Sequence, residues 1–112
     1  MRFNNPYWSN KLRIEALQRW IIVQSIIYYE LDNSLVSDQV FDNNARQLVK
    51  MQNEHKDEAK QTQYWYLFYD FDGSTGFDLY DRLNKSDKQY LTQIAHHVLK
   101  LFKAGGQNGR KK

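Results

Sequence analysis

From Asn10 to Leu31, apolar side chains recur at three- and four-residue steps, and this stretch constrains the fold more than any other. Leu12, Ala16, Leu17, Trp20, Ile21, Ile27 and Tyr28 follow the period of an α-helix, not the two-residue alternation of a half-buried strand. Ile22, Val23 and Ile26 widen the stripe until most of the helix circumference is apolar. A helix of that kind is packed by neighbours on several sides, so this element is predicted to be central, with Ser9 or Asn10 as its N-cap. The fold class expected is all-α, a small domain of four to five helices that opens with an antiparallel helical hairpin.

The second limb of that hairpin is marked by local chemistry. Asp32, Asn33 and Ser34 interrupt the periodicity, because their short polar side chains compete with helical backbone bonding and favour turns. Ser37 restarts it as an N-cap, with Asp38 in the first turn and Phe41, Ala45, Leu48 and Met51 or Gln52 following on one side. A connection this short makes the two helices antiparallel neighbours.

The polar run 53–63 carries alternating charges and fits either a loop followed by a new helix or one continuous exposed helix. It leads into Tyr64–Phe71, in which six of eight residues are aromatic. That composition suits a strand or a buried helix, and helix is preferred because no second strand pattern exists to pair with it. The segment is expected to fill the centre of the domain. Residues 72–76, with two glycines, form a breaker before a short helix at 77–83. Ser86 and Gln89 complete an S-x-x-Q capping box, and Tyr90, Leu91, Ile94, Ala95, Val98, Leu99 and Phe102 form the stripe of a last helix ended by Gly105.

One domain is expected over residues 1–103, with the hairpin at 10–53 and a flexible basic tail at 104–112. At 112 residues and 41% apolar content, the chain has the length and bulk for one core. The formal charge of +3 equals the contribution of Arg110, Lys111 and Lys112, so the basicity belongs to the tail. The absence of cysteine rules out disulfide and thiolate chemistry and fits a reducing compartment, and the start of the chain has no apolar leader. No stretch reaches the ~20 apolar residues of a membrane span. A cytoplasmic protein with no membrane partner is expected.

The residues YYELDNSLVSDQVFDNNARQL, 28–48, resemble the N-terminal helical module of NAD-dependent DNA ligases in order and spacing: a tyrosine pair, a Leu-Asp turn, then Ser-Asp-x-x-aromatic-Asp opening the next helix. In that family the module recognises the nicotinamide mononucleotide (NMN) half of NAD. The resemblance therefore implies ligand-binding roles for Tyr28, Tyr29, Asp38, Phe41 and Asp42. The family usually carries tyrosine where this chain has Phe41, so ring stacking is kept and a hydroxyl is lost. Two carboxylates one helical turn apart, Asp38 and Asp42, can hold ribose hydroxyls or an amide beside an aromatic face. The same residues also have plain structural uses, Asp38 at a helix N-terminus and Tyr28 and Phe41 as packing between the helices.

Ligase catalysis needs a nucleotidyltransferase domain with a Lys-x-Asp-Gly nucleophile. Here the comparable string is Asp70-Phe71-Asp72-Gly73, and no catalytic residue is assigned. That string imitates the first motif of haloacid-dehalogenase-type phosphatases, but only about 40 residues follow it and they read helical. As a calcium loop starting at Asp70 it puts Thr75 where glycine is required. His96 and His97 are adjacent, diverge around a helix, and do not form a metal site; no metal is expected.

The first functional expectation is a non-catalytic interaction module that reuses the ligase-like scaffold to bind a protein or nucleic-acid enzyme. The chain also resembles short proteins of phages and prophages of Gram-positive bacteria, which implies a modulator of host machinery. The alternative is a module binding NMN or NAD through the Tyr28–Asp42 face. A third expectation is DNA binding led by the basic tail.

Overall fold

The computed structural model describes residues 8–74 and 76–104, and the expected basic tail beyond Ala104 lies outside them. The described residues form helices and no strand. Helix α1 (Asn10–Ser25) continues without a break into a π-helical segment (Ile26–Glu30). It is followed by α2 (Asp38–Glu54), three single turns, α3 (Lys56–Ala59), α4 (Trp65–Phe68) and α5 (Leu79–Arg82), and the long closing helix α6 (Lys85–Ala104). The all-α expectation holds, with six α-helices in place of four to five because three of them are one turn long.

Helix α1 is the central element. Ile14, Leu17, Ile21, Ile22, Ile26 and Ile27 are all fully buried along it and its π extension. The neighbours that cover it are α2, α3, α5 and α6. Two residues of the sequence-derived stripe face outward instead, Leu12 (45% exposed) and Tyr28 (52%). Ile14, outside that stripe, is fully buried, because with neighbours on several sides no single stripe defines the core face.

Helices α1 and α2 run antiparallel. Asn10 meets His55, Gln18 meets Gln52 and Trp20 meets Phe41, so the partner's number falls along the second helix as it rises along the first. A buried polar chain fixes this register. Gln18 Nε2 donates to Gln52 Oε1 (2.9 Å) and Thr62 Oγ1 (3.1 Å), and Gln52 Nε2 donates to the Phe68 carbonyl (3.1 Å). These bonds tie α1, α2, the turn before α4 and the end of α4 together, and sliding the hairpin would leave several buried amides unpaired.

Residues 53–63 follow neither reading in full: α2 runs to Glu54, His55 leaves the helical region at φ −130°, and the single turn α3 begins at the next residue. The aromatic run fills the interior only in part. Tyr64, Leu67 and Phe68 are buried and Phe68 stacks edge-on against Phe71, whereas Tyr66 and Tyr69 face outward. Helical spacing sends Tyr64, Leu67 and Phe68, three and four residues apart, to the core side and leaves Tyr66 and Tyr69 on the other.

The last helix begins earlier than its capping box predicts. Asn84 is the cap: its Oδ1 accepts from the Asp87 N–H (2.7 Å), and its carbonyl accepts the Lys88 N–H. Ser86 falls inside the first turn. Asp87 sets this start, since its buried carboxylate accepts from Tyr66 Oη (2.7 Å), Gln63 Nε2 (3.1 Å) and Asn84 Nδ2 (3.1 Å). Helix α6 packs along α1 and the π segment, so it lies on the first limb of the hairpin and not across both.

Candidate functional site

The turn end of the hairpin is where the backbone departs from ideal helix. In the π segment the Leu31 N–H donates to the Ile26 carbonyl (3.0 Å), five residues back. Asp32 then adopts φ +53°, and the Asn33 N–H reaches the Ile27 carbonyl (3.0 Å) to close the end. The wide turn has a side-chain consequence. Ile26 and Ile27 remain buried while Tyr28 and Tyr29 emerge together, with ring centroids 4.8 Å apart and planes at 87°. Such single π turns inside α-helices are frequent at functional sites.

Helix α2 supplies the facing wall. Ser37 caps it as expected, its Oγ accepting from the Val40 N–H (3.1 Å), which fixes Asp38 in the first turn and Phe41 and Asp42 in the second. The half-buried Phe41 ring rests 6.1 Å from Trp20 of α1. The connecting turn closes the bottom, with the Ser34 hydroxyl donating to the Val36 carbonyl (2.9 Å).

The third wall comes from the glycine-containing loop before α5. Gly76 lies flat on Ser25, so closely that a Cβ there would fall 1.9 Å from Ser25 Oγ and 2.9 Å from its Cβ. Only glycine permits this approach. Gly73, at φ +84°, and an Asp72 carboxylate that accepts from both the backbone N–H and the hydroxyl of Ser74 shape the turn. As a result Ser74 reaches the hairpin and Phe77 stacks edge-on against Tyr29, 5.6 Å between centroids.

Together these walls enclose a cleft of about 260 Å³. All five residues implied by the resemblance, Tyr28, Tyr29, Asp38, Phe41 and Asp42, line it. The residues that sequence reasoning missed are Gln24, Ser25, the 34–37 turn and Ser74. The turn and Ser37 were recognisable as cap and connection, not as lining. Ser74 carried no signal, because its position follows from the Gly76–Ser25 contact, about 50 residues apart in sequence.

The polar character of the cleft is one-sided. It holds two carboxylates and several hydroxyls, and among the described residues no Lys, Arg or His lines it. Among the described residues neither Asp38 nor Asp42 takes part in an ion pair or side-chain hydrogen bond. The contrast with a neighbouring cavity is informative. That space, bounded by Asp70, Asp72, Asp78 and Arg82, has its acids already engaged: Arg82 pairs with Asp70 (3.3 Å) and Asp78 (3.6 Å), and Asp72 is held by Ser74. The Ser74 hydroxyl and N–H hold the Asp72 carboxyl below the usual carboxylate range. The Asp-Phe-Asp-Gly string is thus a turn with local partners.

Away from the cleft, the one titratable group pushed far from its ordinary value is structural. Burial pushes the Tyr66 phenol up to about 12; the Asn84 N–H donated to it acts against this, and the Asp87 carboxylate that accepts its proton reinforces it. His96 and His97 are exposed on α6, and no group of three or more His, Asp or Glu residues is placed to hold a metal among the described residues. No described helix is long and apolar enough to cross a membrane.

No protein-family model matches this chain, and no curated protein or solved structure is detectably similar to it. None of these comparisons links the chain to the ligase module.

Proposed function

We propose that this protein is a non-catalytic binding module whose recognition site is the cleft at the turn end of the α1–α2 hairpin, and whose ligand is the NMN half of a nicotinamide nucleotide. One observation supports this reading above the others: two tyrosines, a phenylalanine and two carboxylates, singled out by their resemblance to a nicotinamide-recognising module, line one cleft. Its volume, about 260 Å³, lies just below the ~300 Å³ at which pockets for drug-sized ligands begin, so it suits a nucleoside-sized group and not a whole dinucleotide. Aromatic faces receive a flat ring, and carboxylates accept from ribose hydroxyls or a carboxamide.

Titration calorimetry with NMN, paired with amide and aromatic-ring NMR, tests the reading. Saturable binding that perturbs Tyr28, Phe41 and Asp42 supports it, as does its loss in Tyr28→Ala, whose ring is half exposed and whose removal leaves the core intact. No heat and no perturbation at millimolar ligand would remove it.

A protein-docking role is the second reading, favoured by exposed aromatic side chains outside the cleft, Tyr69 (61%) and Tyr90 (53%) among them. Under that reading, substitution of Tyr69 and Tyr90 abolishes partner capture while Tyr28→Ala does not. A phage-type modulator of host machinery would act through such a surface.

A further inference from the structure

We infer that the cleft selects its ligand by positive charge: it holds an N-substituted pyridinium or similar organic cation and leaves any attached phosphate outside. This rests on the proposed function for the location of the site and for the ligand series, but its basis is the charge pattern of the walls.

Three aromatic side chains, Tyr28, Tyr29 and Phe41, line the space, and aromatic faces carry the negative end of a quadrupole that attracts cations. The two tyrosine rings stand nearly perpendicular, at 87°, so a flat ligand lying on one face meets the edge or hydroxyl of the other. Asp38 and Asp42 add two formal negative charges, and no described lining residue supplies a compensating cation. The neighbouring cavity, with three acids and Arg82, carries the same formal charge, but each of its carboxylates already has a partner, Arg82 for Asp70 and Asp78 and Ser74 for Asp72, whereas Asp38 and Asp42 have none among the described residues.

A phosphate placed within the same walls would meet two carboxylates and, among the described residues, no basic side chain, and like charges at such separations repel. Its gains would be limited to neutral donors, the lining hydroxyls and the backbone N–H groups at the start of α2, one of which, that of Val40, the Ser37 hydroxyl already occupies. A cationic ring gains from every wall. The charge on the pyridinium nitrogen is therefore the recognised feature, the ribose is tolerated and the phosphate faces solvent.

The experiment compares five compounds on the full chain by calorimetry at low and moderate salt: oxidised nicotinamide riboside, NMN, reduced nicotinamide riboside, whose ring is nearly the same shape but neutral, and the simple cations 1-methylnicotinamide and tetramethylammonium. The expected result is that the oxidised riboside binds at least as tightly as the mononucleotide and tenfold or more tighter than the reduced riboside. The Asp38→Asn, Asp42→Asn double variant, checked for fold by circular dichroism, should erase most of that tenfold preference. If the mononucleotide binds tenfold tighter than the riboside, or the reduced riboside binds as well as the oxidised, charge selection is overturned while the nicotinamide reading survives. If 1-methylnicotinamide or tetramethylammonium binds and the nucleotides do not, charge selection stands and the nucleotide reading falls. Silence from every compound overturns both.

Discussion

Replacing Gly76 by alanine probes the contact that builds the third wall of the cleft. The new Cβ would stand 1.9 Å from Ser25 Oγ, 2.9 Å from Ser25 Cβ and 3.3 Å from Leu79 Cδ1. The first clash can be relieved by turning the Ser25 hydroxyl away, at the expense of its 2.8 Å bond to the Ile21 carbonyl. A buried hydrogen bond of that kind contributes about 1 kcal/mol. The second cannot be relieved by rotation, because Cβ is fixed to the α1 backbone, so the loop must move outward, at an overpacking cost of about 1 kcal/mol or more. The sum is roughly 2 kcal/mol, and at 4–8 °C per kcal/mol for a domain of this size the melting temperature should fall by roughly 8–16 °C. Thermal unfolding followed by circular dichroism measures it. A double-mutant cycle isolates the cause: in a Ser25→Gly background, which removes both clashing atoms, Gly76→Ala should be nearly neutral. Equal melting temperatures for Gly76→Ala and wild type, or an equal penalty in both backgrounds, would refute the reasoning. The displaced loop also carries Ser74 and Phe77, so Gly76→Ala should weaken binding in the cleft even below its melting temperature.

Asp32→Gly should stabilise the protein by roughly 0.5–1 kcal/mol, because a non-glycine residue is held there at φ +53°; an unchanged or lowered urea midpoint would count against this. Asp87→Ala removes the acceptor shared by Tyr66, Gln63 and Asn84 and should cost about 2–3 kcal/mol in equilibrium unfolding, with Asp87→Asn intermediate. The Tyr66 phenol is raised from 10 to about 12 in the folded protein, so the folded state holds the proton more tightly than the unfolded. Its contribution is fully present below pH 10 and is lost as pH rises toward 12, and Tyr66→Phe should flatten that part of a stability–pH curve. Leu48→Ala, at a fully buried position on the hairpin seam, should cost 2–5 kcal/mol, roughly, in the same assay.

The hairpin was legible because its signals are local. The Ser37 hydroxyl bonds an N–H three residues on, and the turn residues Asp32 to Ser34 act on their own backbone, so neither depends on the rest of the fold. Where distant groups intervene, local signals give way. The S-x-x-Q pattern at Ser86 yields to an Asn84 cap because Asp87 is drawn into bonds with Tyr66 and Gln63, more than twenty residues away. The π segment has no code of its own; it follows from burying Ile26 and Ile27 while both tyrosines face out. Two walls of the cleft could therefore be anticipated from residues 28–48. The third depends on Gly76 meeting Ser25, a contact that neither residue announces.

The cleft as a single binding site is the central claim, and calorimetric titration of NMN into wild-type, Tyr28→Ala and Asp42→Ala proteins tests it most directly. Saturable one-to-one binding in the wild type, weakened at least tenfold in each variant with the fold unchanged, is the predicted result. Binding that survives both substitutions, or no binding to the wild type at millimolar ligand, would contradict it.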